Sequence, residues 1–226
     1  VQLNWQKLTF RQLATLAVTY YCLEHLLMEY CGEEREGNKF CLRATDAEGL
    51  IDFLMGVYRT GRYYNLQQDA YRYAGLNFTS IPKYGSLEFR GMRGLLDWSD
   101  IIEWVDIITA IKDFSLNYDK PSDVIFLMSH TSPFAFLKMV LPNHWTKFYG
   151  MTNFEQRIMD GVRVSQDLAF CLQWEDDAPK AAVSRETAKP LPKRPGIKRA
   201  IRRPLEDDEV WDERPIEAPP IPVPPP

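Results

Sequence analysis

The chain has 226 residues, 45% of them apolar and 13% aromatic, with a formal net charge of −4. That length suits one domain, or one domain with a tail, and supplies enough apolar mass for a sizeable core. The acidic balance argues against a broadly basic nucleic-acid binder, and no run of about 18 apolar residues offers a membrane span.

The opening, Val1 to Trp5, has no Met and no basic-then-apolar leader, which predicts a trimmed chain or a fragment. Val1 to Asn4 reads as the remnant of a strand, with Gln2 and Asn4 on one face and Val1 and Leu3 on the other. A long helix follows. Thr9 is a good N-cap with Gln12 at the capping-box position. Leu13, Leu16, Ala17, Tyr20, Leu23, Leu27 and Tyr30 recur at helical spacing, and Gly32 marks the stop. Glu24 falls on or beside this apolar face, so its carboxylate needs a partner.

A second helix is expected from about Ala47 to Thr60, capped by Asp46 and ended by Gly61. Two strands come next, Tyr71 to Phe78 and Ser86 to Gly91, joined by a turn over Ile81 to Gly85. So short a connection makes the pair antiparallel. Two strands do not make a stable sheet, so further strands must come from upstream or from the Val1 segment. A third helix covers about Asp100 to Leu116, capped by Ser99 or Asp97, with Ile101, Ile102, Trp104, Val105, Ile108 and Ile111 facing inward. Pro133 after Ser132 opens a short helix that ends before Pro142. The last helix runs from Thr152 or Asn153 to about Gln173.

Composition changes near Asp177. Residues 177–226 hold 12 of the 16 prolines, with basic residues from Lys193 to Arg203 and acidic ones from Glu206 to Glu213. Such a segment lacks the apolar mass to offset its ordering entropy. The organisation predicted is therefore a folded part over 1–176 and a disordered, charged, proline-rich tail over 177–226. The run from Ala218 to Pro226 is suited to polyproline II, and a peptide-type partner for it is one option beside a plain solvated tail. The four cysteines at 22, 31, 41 and 171 include no Cys-x-x-Cys pair, and His25, His130 and His144 lack zinc-like spacing. Reduced, buried thiols in a cytoplasmic protein are the expectation.

The chemistry-bearing stretch is Tyr71-Arg-Tyr-Ala-Gly-Leu-Asn-Phe78 with Gly85-Ser-Leu-Glu-Phe-Arg-Gly91. Alternation along a strand puts Ser86, Glu88 and Arg90 on one face and Leu87 and Phe89 on the other. Tyr73, Gly75 and Asn77 share a face of the partner strand. The plain reading is a surface ion pair worth about 0–1 kcal/mol. The functional one is a sheet floor that presents Glu88 as a hard oxygen ligand for Mg²⁺ and Arg90 as a fork for phosphate oxygens. Phosphoryl transfer needs both. Ser129-His130-Thr131-Ser132 brings a hydrolase to mind, but no Gly-x-Ser-x-Gly elbow or matching acid accompanies it. No glycine-rich phosphate loop occurs.

The ordered set Arg72, Leu76-Asn77, Gly85-Ser-Leu-Glu-Phe-Arg90, Leu96-Asp97 and Ile101-Ile-Glu-Trp104 resembles the amidoligase family of phages and bacteria, relatives of glutamate–cysteine ligase and glutamine synthetase. Upstream, the helix from Leu8 to Leu27 with its internal Glu24, and then Arg35, Asn38 and Cys41, resemble the family in the same order. The resemblance spans roughly residues 1 to 115. It implies an α+β fold in which part of an antiparallel sheet, packed with helices, forms a concave ATP and Mg²⁺ site. It also implies an amide-forming reaction through an acyl phosphate, with small-molecule or peptide carboxylates and amines as substrates. Carried over, Glu88 is a metal ligand. Arg90 is a catalytic contact to phosphate, and Asn77 and Arg72 join it in lining the nucleotide. Arg35 and Asn38 hold substrate, although a structural salt bridge from Arg35 to Glu24 fits equally well. Two departures stand out. The family's early Glu-x-Glu strand, which supplies most of the metal ligands, is not in this sequence. Gln2 stands where a second His is usual, and a carboxamide is a poorer metal ligand than imidazole. They leave open a binding or scaffold protein that kept the fold and lost the chemistry. A third option, nucleic-acid association through Lys193 to Arg203, is weakened by the neighbouring acidic block.

Overall fold

The computed structural model describes residues 1–60, 63–94 and 97–171. The predicted tail, Gly61 and Leu96 lie outside the described residues. Among the described residues three strands and eight α-helices alternate irregularly, giving the mixed α+β layout expected.

The molecule is built around α1, Phe10–Tyr30. Its first turn is closed as the sequence predicted. Gln12 N–H donates to Thr9 Oγ1 at 3.2 Å, and Thr9 N–H donates to Gln12 Oε1 at 2.9 Å. An amphipathic helix buries one stripe, yet α1 is buried nearly all round from Leu13 to Met28, with Thr15 and Thr19 as the polar exceptions and Glu24 as the only charged one. Each threonine hydroxyl donates to the carbonyl one turn back, Arg11 and Thr15, so neither needs water.

The sheet lies against one side of α1. Strand β1 (Gln2–Asn4) pairs antiparallel with β3 (Ser86–Phe89), and β3 pairs antiparallel with β2 (Leu76–Asn77), in the order β1-β3-β2. The Val1 segment therefore supplies the third strand. The expected strand over 71–78 is shorter than predicted. Residues Asp69–Tyr71 form a 3₁₀ turn, and only Leu76–Asn77 is laddered. Ala74 and Gly75 instead meet a parallel bridge from Leu42, whose carbonyl accepts from Gly75 N–H at 2.7 Å. The connection over 81–84 is a single helical turn, α3 (Ile81–Tyr84), ended by Gly85 with φ of +68°. A Cβ there would sit 2.5 Å from Gln6 Cγ, so glycine answers both the backbone and the space.

Helices fill the other sides. α2 (Leu50–Thr60) begins three residues later than predicted, because Asp46 accepts from Arg43 Nε at 2.8 Å rather than capping the helix. α4 (Trp98–Ser115) is capped by Asp97, which accepts from Ser99 N–H. Its inner face includes Trp104, Ile107, Ile108 and Ile111, whereas Ile102, expected inward, is 59% exposed. α5 (Pro121–His130) was not predicted; α6 (Pro133–Val140) was, with Ser132 accepting from Ala135 N–H. A short α7 (Thr146–Tyr149) precedes α8 (Phe154–Ala169).

α8 crosses α1 at backbone contact. A Cβ on Gly161 would lie 2.3 Å from the Tyr21 carbonyl oxygen and 2.8 Å from Cys22 Cα. The crossing is sealed by Cys22 Sγ and Ser165 Oγ at 3.7 Å and by an ion pair between Arg157 and Glu29. The four cysteines are free and buried. No helix among the described residues is long and apolar enough to cross a membrane.

Candidate functional site

The register of the sheet decides what stands beside what. Gln2 and Asn77 both pair with Glu88, one from each side, so the three side chains form a row across the sheet. Leu3 pairs with Leu87 and Leu76 with Phe89, and these make the opposite face. Leu76, Leu87 and Phe89 are buried, Phe89 in edge contact with Tyr20 of α1 at 5.6 Å. Burying this apolar row fixes the register, because a one-residue slip would bring Glu88 into the core. Glu88 and Arg90 thus share one face, as predicted, each side chain 28% exposed.

Asn77 is held from behind. Its Oδ1 accepts from Thr79 N–H at 2.9 Å and Thr79 Oγ1 at 2.8 Å, a local turn that leaves Nδ2 to donate to Glu88 Oε2 at 2.7 Å. Arg90 Nη1 lies 3.5 Å from the same carboxylate oxygen. Glu88 Oε1 takes no hydrogen bond from the described residues. Arg90 Nε donates to the Phe40 carbonyl at 3.2 Å, and its guanidinium lies 5.6 Å from the Tyr73 ring. Arg72 covers the same ring at 4.5 Å and bonds the Tyr73 hydroxyl. Phe40 meets Tyr73 edge-on at 5.3 Å, and Lys39 lies 5.2 Å from the Phe40 ring. A carboxylate with one open oxygen therefore borders an aromatic pair carrying three cations.

Of the predicted site residues, Glu88, Arg90, Asn77 and Arg72 come together here. Arg35 and Asn38 lie on the neighbouring loop and are otherwise engaged. Arg35 Nη2 donates to the Met92 carbonyl at 3.1 Å. Asn38 closes its own loop, donating to the Glu34 carbonyl and accepting from Phe40 N–H. The alternative salt bridge from Arg35 to Glu24 does not form. Glu24 Oε2 accepts instead from Ala44 N–H at 2.7 Å, Oε1 is unpartnered, and burial pushes the carboxyl up to about 8. Phe40 escaped the sequence reading, because an aromatic in a polar loop gives no periodic signal.

No protein-family model matches this chain, and no curated protein or solved structure matches it.

Proposed function

We propose that this chain belongs to an ATP-dependent carboxylate–amine ligase whose polar sheet face receives the phosphates of the nucleotide. The observation that carries the reading is the pairing of Glu88 and Arg90 on one strand face, flanked by Gln2 and Asn77 and anchored by buried Leu87 and Phe89. In such a reaction a substrate carboxylate oxygen attacks the γ-phosphorus and ADP leaves. An amine then attacks the acyl carbon, phosphate leaves, and the nitrogen loses a proton. Arg90, with Arg72 nearby, offsets charge on the transferred group.

Magnesium fits Glu88 at one coordination position, since Glu88 Oε1 is a hard donor without a hydrogen bond. Among the described residues no three His, Cys, Asp or Glu side chains are grouped to hold a metal ion. Phosphate oxygens of the nucleotide and water would complete the shell. Calorimetric titration with ATP, with and without Mg²⁺, tests the reading. Saturable, Mg²⁺-dependent binding is expected, with at least about a tenfold loss in Glu88→Gln and in Arg90→Lys. Absence of binding, or wild-type affinity in both variants, would overturn it.

A second reading, a non-catalytic binding or scaffold protein on the same fold, is favoured by one observation. Arg90 already has the Phe40 carbonyl, Glu88 and the Tyr73 ring as partners, and Gln2 rather than a metal-binding side chain faces Glu88. It predicts that Arg90→Lys lowers the thermal midpoint and that ATP has no effect on either protein.

A further inference from the structure

Residues 38–48 run between two glycines at positive φ, Gly37 (+67°) and Gly49 (+76°), and hold no helix or strand beyond the Leu42–Ala74 bridge. The segment meets the Glu88–Arg90 face at one end, where the Phe40 carbonyl accepts from Arg90 Nε, and the core at the other, where Ala44 N–H donates to Glu24 Oε2. We propose that it is a strap released by ionisation of Glu24, its release carrying the Phe40 carbonyl away from Arg90. Any effect on nucleotide binding rests on the ligase reading; the release of the strap does not.

The anchoring of the strap is thin. Leu42 N–H donates to the Tyr73 carbonyl at 2.8 Å, and Gly75 N–H to the Leu42 carbonyl at 2.7 Å. The Tyr71 hydroxyl donates to the Glu48 carbonyl. The residues it buries are small ones, Cys41, Ala44 and Ala47. A segment with few buried apolar contacts opens at a lower free energy than the fold as a whole.

Glu24 supplies the drive. Its Oε1 has no partner among the described residues and lies 3.4 Å from the point a Cβ on Gly75 would occupy. Tyr20 Oη, also without a partner there, lies 3.5 Å from the same point. A neutral carboxyl tolerates such half-satisfied burial, whereas a carboxylate, with acceptor sites on both oxygens, needs more donors than Ala44 N–H. Lifting the strap lets water provide them. The strap turns two charged groups toward Glu24, Arg43 and Asp46, which act in opposite directions, and α1 adds the Tyr20 and Tyr21 hydroxyls. His25, next along α1, lies 3.3 Å from Arg43 Nη1 and feels Arg157 and Asp160 of α8. Gly75, on the sheet side, brings no ionisable group.

Burial raises the Glu24 titration from 4.5 to about 8 while the strap is closed, so opening releases a proton that the closed form holds. The open fraction is therefore constant below pH 4.5, rises by up to about tenfold per pH unit towards 8, and levels off above it.

The test labels the thiols of the full chain with 4,4′-dithiodipyridine from pH 5 to pH 9, each rate corrected for the thiolate fraction of a model thiol, with Cys41 and Cys22 read separately by mass spectrometry. Cys41 lies on the strap, and Cys22 lies at the α1–α8 crossing as a monitor of wider unfolding. The corrected Cys41 rate should rise tenfold or more between pH 5 and pH 8 while that of Cys22 stays flat. Glu24→Gln, which keeps an acceptor for Ala44 N–H, should flatten the Cys41 profile, and His25→Gln should leave its rise in place. The proposal is overturned if the Cys41 rate does not depend on pH, if it rises in step with Cys22, or if it rises equally in Glu24→Gln. A failure to bind ATP would refute the ligase reading and leave these outcomes as they stand.

Discussion

Glu24 is the most expensive side chain in the core. It is 3% exposed, and only one of its oxygens is hydrogen-bonded, to Ala44 N–H. Burial is the main cause of its raised titration, to about 8 from 4.5, with the Ala44 bond and the Arg43 charge pulling the other way. Between these two values the unfolded chain has released a proton that the folded chain still holds. Stability therefore falls as pH rises through that window, by about 1.4 kcal/mol per pH unit, and is insensitive to this group below 4.5 and above 8. Glu24→Gln keeps an acceptor for Ala44 N–H and removes the ionisation. Urea unfolding should show the variant close to wild type at pH 5 and clearly more stable at pH 8; an equal difference at both would refute the assignment. The site residues behave differently. Glu88 and Arg90 are partly solvated, so exchanging Glu88 for Gln should change stability by less than about 1 kcal/mol. That leaves nucleotide binding as the property that reports on them.

At the scale of elements, the crossing of α1 and α8 sets the tightest tolerance. Gly161 leaves no room for a methyl group, because the atoms it would meet are backbone of Tyr21 and Cys22 rather than movable side-chain ends. Gly161→Ala should push the helices apart and cost about 1–3 kcal/mol, visible as a lower thermal midpoint even though alanine is the better helix former. Gly56→Ala, on an open helix face, should have the opposite sign. The two glycines look alike in the sequence, where only helical periodicity surrounds them, and they part company only once the neighbouring helix is placed. Elements with a local code were readable: the capping box at Thr9 and Gln12, Ser132 before Pro133, and the alternation of Leu87 and Phe89 with Glu88 and Arg90. α5 carries a weaker local code, Pro121 at the first helical position and Asp123 accepting from Lys120 N–H. The strand predicted over 71–78 failed for a non-local reason. Leu42, from another part of the chain, takes the backbone groups of Tyr73 and Gly75, and nothing within the segment announces it.

Among the described residues α1 packs against α4, α5 and α8, and its Tyr20 meets Phe89 of the sheet, while α2 and α6 pack on α8. A chain stopped at residue 153 would lose α8 and strip one whole flank of α1, leaving Leu and aromatic side chains in water. Its circular dichroism should retain helix while its thermal transition broadens or vanishes; a sharp transition near the full-length midpoint would show that α8 is dispensable.

The order of these partners in time has its own consequence. During synthesis α1 leaves the ribosome well before α8, the helix that covers one of its flanks. Until α8 is made the nascent chain must carry an apolar rod with one flank uncovered, a condition that invites chaperone capture or aggregation. Pairing across so long a sequence separation also favours slow folding.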